Sequence, residues 1–120
     1  MANPFLFTLT RFDERDADRV AASLVLANNA LAVDSVVTLW LTLEGVVLAK
    51  TGAAHRLQPV SFPPVSELLD QFVESGGRIG VCPPCGKTHG VTDDNMVDGA
   101  EWMGAAAVIG AASESKTVSL

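Results

Sequence analysis

Cys82 and Cys85 are the two cysteines of this 120-residue chain, and they stand in a single C-x-x-C. That spacing brings two sulfurs to the opening turn of a helix, an arrangement suited to thiol redox chemistry, sulfur transfer or metal ligation. The local sequence is Cys82-Pro83-Pro84-Cys85-Gly86-Lys87-Thr88-His89-Gly90. Pro83 fits the first helical position, where its missing N–H costs nothing. With Cys82 as the preceding cap, free backbone N–H groups and the helix dipole are expected to favour a thiolate on its sulfur. Cys82 is therefore the expected nucleophile. Cys85 could resolve an oxidised or persulfidated Cys82, join it in a metal site, or be incidental.

Four other side chains could support this chemistry. Lys87 and His89 would add positive potential beside the thiols. His89 also extends the pattern to C-x-x-C-x-x-x-H, but a structural zinc site takes four ligands, and Glu44 or a second subunit would have to complete it. No metal and no cofactor is therefore assigned. Glu44 directly follows an apolar segment and reads either as a helix-start carboxylate or as a proton-handling group. Arg11, after the first apolar segment, could hold an anionic ligand, whereas His55 reads as a solvated surface histidine. The chain shows no Ser-His-Asp order, phosphate-binding glycine loop or dinucleotide fingerprint. Its Gly76-Gly77-Arg78-Ile79-Gly80 precedes a strand, which is the wrong context for such a loop.

The bulk properties narrow the partners. Net charge is −6 and the eight Lys and Arg residues are scattered singly, so there is no stripe for a phosphate backbone and nucleic acid is not an expected partner. The N-terminus lacks a basic start with a long apolar stretch, and no apolar run approaches the ~18 residues of a membrane span. A cytoplasmic protein without a membrane anchor is the expectation. The composition is 48% hydrophobic with a mean hydropathy of +0.31, rich for one small domain. Association of the chain with itself is expected to cover the surplus.

Alternating patterns must position these side chains. Residues 4–10 and 35–41 are short and apolar, the second on both faces as in a central parallel strand. Between them Ala17, Val20, Ala21, Leu24, Ala27, Asn28 and Leu31 recur at helical spacing, with Asp13, Glu14 and Asp16 near the start of the run. Residues 46–50 read as a short helical stretch and 53–61 as loop. Pro63-Pro64 opens the clearest helix, whose stripe of Val65, Leu68, Leu69, Phe72 and Val73 ends at Gly76-Gly77. Residues 78–81 form a strand running into Cys82. Thr92 then reads as the cap of a helix through Met103, with residues 105–109 and 117–120 as the last two strands. The result is one domain over residues 1–120: a three-layer α/β/α Rossmann-like fold with a mostly parallel sheet of about five strands. Ligands in such sheets collect beyond the carboxyl ends of the strands. The loops 10–13, 42–45, 82–90 and the stretch around Gly110 should therefore share one rim.

The segment from Arg78 to Gly90 resembles the DsrE/DsrF-like family, which includes the small sulfur-relay subunits of the Dsr and Tus systems. The resemblance extends over nearly the whole chain, through the segment VVTLWLTLEGVVLA and a V-x-ELL-x-x-F helix followed by Gly-Gly. Cys82 and Gly90 have the family's spacing of strand-end cysteine and later glycine. CPPC departs from the single cysteine common in sulfur-relay members. What the resemblance implies is a domain that forms dimers, trimers or hexamers and a cysteine, here Cys82, that carries a persulfide between donor and acceptor proteins. Two other readings stay open: a dithiol redox module using Cys82 and Cys85, and a metal-binding or small-ligand-binding oligomer using Cys82, Cys85 and His89.

Overall fold

The computed structural model describes residues 3–33 and 35–120. Its strands are β1 (Phe5–Leu9), β2 (Val37–Leu41), β3 (Arg78–Val81), β4 (Ala100–Trp102) and β5 (Lys116–Ser119). They form one sheet in the order β4-β3-β2-β1-β5, with every neighbouring pair parallel. The expected mostly parallel sheet of about five strands is thus a wholly parallel one. The helices are α1 (Ala17–Ala32), α2 (Val65–Glu74), α3 (Pro83–Thr88) and α4 (Ala105–Glu114).

The period of two along each strand decides what lies on each face. Phe7 and Leu9, Val37, Leu39 and Leu41, and Ile79 and Val81 point to one face and join the buried residues of α1 and α2 in one apolar core. Steps from β1 through β4 all run the same way across the sheet, so right-handed crossovers put α1 and α2 together on that face. The return from β4 to β5 runs the opposite way, which sends α4 to the second face. There a side chain at Gly80 would collide with Met103, and the Trp40 Nε1–H donates to the Met103 carbonyl at 3.0 Å. The second layer is thin. Val108 is buried, but Ile109 in the same helix is 69% exposed.

Glycine sets the helix ends that precede the site. Gly76, at φ 91°, follows α2, and the hydrogen bonds from Gly77 N–H to Phe72 O and from Gly76 N–H to Val73 O close it as a left-handed stop. At Gly77 a Cβ would overlap the ring of the fully buried Phe72, so the turn into β3 packs directly on the core.

Several expectations need correction. Residues 92–103 do not form a helix. Asn95 accepts the Thr92 N–H and donates to the Gly90 carbonyl, the Asn95 carbonyl takes the Thr51 N–H, and Val97 N–H bonds Ala49 O. These partners satisfy the backbone locally and against the neighbouring loop, the usual way Asn and Asp outcompete a helix. Gly99, at φ 86°, then turns the chain into β4, which occupies residues expected to be helical. Residues 105–109 are the start of α4 and not a strand, as the strong helix preference of the Ala105-Ala106-Ala107 run accounts for. Gly110 consequently lies inside α4, and the fourth rim segment is Met103–Gly104. The short helical stretch expected at 46–50 is a 3-10 helix starting earlier, Leu43–Ala49, and the loop expected at 53–61 contains a 3-10 turn, Ala53–Arg56.

Phe72 joins α2, the Gly77 turn and the core under β3. Phe72→Ala should lower unfolding free energy by about 3–5 kcal/mol, read from the midpoint of urea denaturation. A loss under about 1 kcal/mol would mean that the turn into β3 does not depend on this ring.

Candidate functional site

The site begins with a register. Leu41 of β2 pairs with Val81 of β3, so both strands end at one level, and the Cys82 N–H continues the ladder by donating to Leu41 O at 3.0 Å. The segments that follow, Thr42-Leu43 and Cys82 to Cys85, are therefore neighbours. Cys82 is the cap of α3 with Pro83 at the first helical position, as its sequence requires. Gly86 N–H then bonds Cys82 O at 2.8 Å. Gly86 is buried because a side chain there would strike the Trp102 ring and Val81, so its bareness seats α3 on the sheet's end. At the far end, Val91 N–H reaches Gly86 O and Gly90 N–H reaches Lys87 O around Gly90 at φ 76°, a second left-handed stop. That geometry is the physical reason for a glycine at residue 90.

On this short helix the two sulfurs are 3.3 Å apart, with the Cys82 S–H directed at Cys85 Sγ. Both residues are half-buried free thiols. Hydrogen bonding distinguishes the two sulfurs. The Cys82 side chain makes no capping hydrogen bond to the helix's backbone N–H groups. The donors gather on Cys85 instead. Thr42 Oγ1 is 3.6 Å from Cys85 Sγ, and the backbone N–H of Leu43 also bonds this sulfur. Partial burial pushes the Cys85 thiol up, but Thr42, Cys82 and the Leu43 N–H each pull it down, and the net result lies below the ordinary value for cysteine. Leu43 holds a left-handed φ of 53°, unusual without glycine, and a conformation of this kind costs on the order of 1 kcal/mol. Gly45 permits the next turn to lie on the end of β1, since a Cβ there would meet the Leu9 carbonyl oxygen.

Cys85 opens on a cavity of about 490 Å³ lined by Leu43, Glu44, Pro84, Cys85, Thr88 and His89. Two of the expected supporting residues, Glu44 and His89, are thus brought to the thiols, and two are not. Lys87 instead lines a separate cavity of about 460 Å³ with Pro83, Val91, Thr92 and Trp102. Arg11 is exposed in the loop after β1 and is not among the residues lining the cavity at Cys85. His89 ends α3, and its carbonyl takes a hydrogen bond from Lys50 Nζ at 3.1 Å. His55 is exposed. Among the described residues no group of three or more His, Cys, Asp or Glu side chains is placed to hold a metal ion, so Cys82, Cys85 and His89 do not form a ligand set. Also among the described residues, no helix is long and apolar enough to cross a membrane. Thr42 and Leu43 are the site residues that pattern reading did not single out. The signal available was the position of Thr42 at a strand end on the shared rim, whereas nothing in a leucine announces a left-handed backbone.

A wholly parallel sheet with helices on both faces and a pair of thiols at the end of its third strand defines a Rossmann-like α/β protein. The DsrE/DsrF-like family pattern matches residues 5–119, and the chain belongs to that family. Uncharacterized proteins of Methanopyrus kandleri and Methanocaldococcus jannaschii are 32% and 27% identical to it, over 70% and 83% of this chain. These alignments span 66% and 36% of the two relatives, so the chain matches less than two thirds of their lengths. Among solved structures, the ychN protein from E. coli superposes with a TM-score of 0.81 at 14% identity, covering 98% of this chain and 99% of that one. A protein from Methanobacterium thermoautotrophicum gives 0.73 at 14% identity, with the same coverage of both chains. These likenesses concern the fold.

The direction of the Cys85 shift makes a pH prediction. A lowered thiol pKa leaves more thiolate at neutral pH, so alkylation of Cys85 by iodoacetamide should rise with a midpoint below that of free cysteine. Thr42→Val removes one donor and should move that midpoint upward by roughly half a pH unit or more, followed by peptide mass mapping across the pH series. Superimposable profiles for the two proteins would take Thr42 out of the account.

Proposed function

We propose that the chain is a sulfur carrier in which the rim dithiol takes up sulfane sulfur as a persulfide and passes it to an acceptor protein. The observation that carries this reading is the convergence of the Thr42 hydroxyl, the Leu43 N–H and the Cys82 S–H on one sulfur, that of Cys85, at the mouth of a cavity. Those donors stabilise the thiolate, which is the nucleophilic form. Cys85 is accordingly the entry thiolate in this proposal, and Cys82, the residue in the family's cysteine position, is its hydrogen-bonded neighbour.

The transfer is a pair of exchanges at sulfur. The Cys85 thiolate attacks the terminal sulfur of a donor persulfide, R–S–SH, giving Cys85–S–SH and the donor thiolate. An acceptor thiolate then attacks the terminal sulfur on Cys85 and restores the Cys85 thiolate. No net oxidation occurs in either step. The cavity at Cys85 is lined by the apolar Leu43 and Pro84 together with Glu44, Thr88 and His89. A terminal sulfur on Cys85 would sit among these side chains and stay within reach of an acceptor protein.

The test uses Cys82→Ser, which keeps a hydroxyl donor beside Cys85 and leaves one thiol. After incubation with a cysteine desulfurase and cysteine, or with thiosulfate, the peptide containing Cys85 should gain about 32 Da, one sulfur atom, and lose it to an added thiol acceptor. Cys85→Ser should take up sulfur at least about tenfold more slowly at neutral pH. A Cys82→Ser protein that stays unmodified in excess of both donors would sink the carrier reading.

A further inference from the structure

A simple carrier needs only one sulfur to accept and hand on a persulfide, and asks nothing of the second thiol beyond its hydrogen bond to Cys85. Its placement is nonetheless specific. Cys82 Sγ lies 3.3 Å from Cys85 Sγ, within the separation from which sulfur can attack sulfur. The two residues sit in the first turn of a helix fixed at both ends: by the Cys82 N–H to Leu41 O bond on one side and by the left-handed stop at Gly90 on the other. Forming a bond of about 2.05 Å from this distance needs only small side-chain rotations. The cavity next to the pair is lined by Cys85 and not by Cys82. A terminal sulfur added to Cys85 and housed in that cavity therefore points away from Cys82, which leaves the inner sulfur of the persulfide as the atom facing the Cys82 thiol.

From this geometry we infer that the protein has a second activity, reductive release of its bound sulfur as sulfide, with Cys82 as the attacking thiol and a dithiol reductant as co-substrate. The inference rests on the carrier reading, because it begins from the Cys85 persulfide. Cys82–SH attacks the inner sulfur of Cys85–S–SH. The Cys82–S–S–Cys85 bond forms, the bond to the terminal sulfur breaks, and the terminal sulfur departs with the Cys82 proton as hydrogen sulfide. Two electrons pass from the cysteine pair to the sulfane sulfur, which is reduced as the pair is oxidised to a disulfide. A dithiol reductant then exchanges with this disulfide, becomes a disulfide itself and regenerates both thiols. Attack on the outer sulfur would only move the persulfide to Cys82, and the placement of the cavity disfavours that approach.

The decisive experiment loads reduced wild-type protein, Cys82→Ser and Cys82→Ala with a persulfide donor, removes excess donor, and follows sulfide together with intact mass. Wild-type protein without reductant should release about one sulfide per chain and end about 2 Da lighter than the reduced form, with Cys82 and Cys85 in one disulfide. With dithiothreitol and continuing donor, sulfide should be produced over many turnovers, at a rate at least about tenfold above either variant. Both variants should retain the adduct of about 32 Da on Cys85 and release no sulfide until reductant is added. A wild-type protein that keeps the adduct, or that carries it on Cys82, without disulfide or sulfide overturns the release activity and leaves the carrier reading standing. Absence of the adduct from wild-type protein and from both variants overturns the two together.

Discussion

The level at which β2 and β3 end governs the rest of the site. Because Leu41 pairs with Val81 in parallel register, the turn leaving one strand and the helix leaving the other start side by side, and Thr42 and Leu43 can reach a sulfur on α3. A parallel pair allows no one-residue adjustment, since a slip would turn Leu39, Leu41, Ile79 and Val81 out of the apolar core. The same burial that fixes the sheet therefore fixes the distance between the donors and the thiol. Gly86 completes the arrangement by letting α3 sit directly against Val81 and Trp102.

At Cys85 two opposing effects meet. Withdrawal from water disfavours a charged sulfur, and three hydrogen bonds favour it. The hydrogen bonds together prevail, that of Thr42 contributing most, then that of Cys82, then the backbone N–H of the left-handed Leu43, whose turn packs on β1 through Gly45. Strain at Leu43 is thus set against charge stabilisation at the sulfur, a pattern that recurs where a backbone is shaped for chemistry. Cys82, although it caps α3, directs its S–H toward its neighbour. The two sulfurs are therefore in contact yet differ in their hydrogen-bond partners.

The two faces of the sheet contribute unequally. One is filled by α1 and α2, while α4 covers the other with little beyond Val108. The thiols stand at the strand ends between these layers, close to β2 and β3, and away from the β1–β5 boundary where the strand order reverses. Pairing with the flanking loops holds this end of the molecule together. Lys50 bonds the His89 carbonyl, Asn95 bridges Thr92, Gly90 and Thr51, and Val97 bonds Ala49.

By itself the sequence determined the features that depend on near neighbours in the chain. The period of the α2 stripe, the glycine stop after α2, and Pro83 at the start of α3 identify their elements because each acts within one turn of backbone. The same locality put Cys82 at a strand's end and collected most of the rim loops. The tertiary structure alone decided which donors gather on the Cys85 sulfur, since Thr42 and Leu43 lie some forty residues from Cys85 in the chain and meet it through a sheet register. It likewise decided that residues 92–99 are turns, because their hydrogen bonds go to Ala49 and Thr51, and that Lys87 and Arg11 stand apart from the cavity. Local propensity cannot encode such contacts, because their partners are chosen by how distant segments pack and not by the residues beside them.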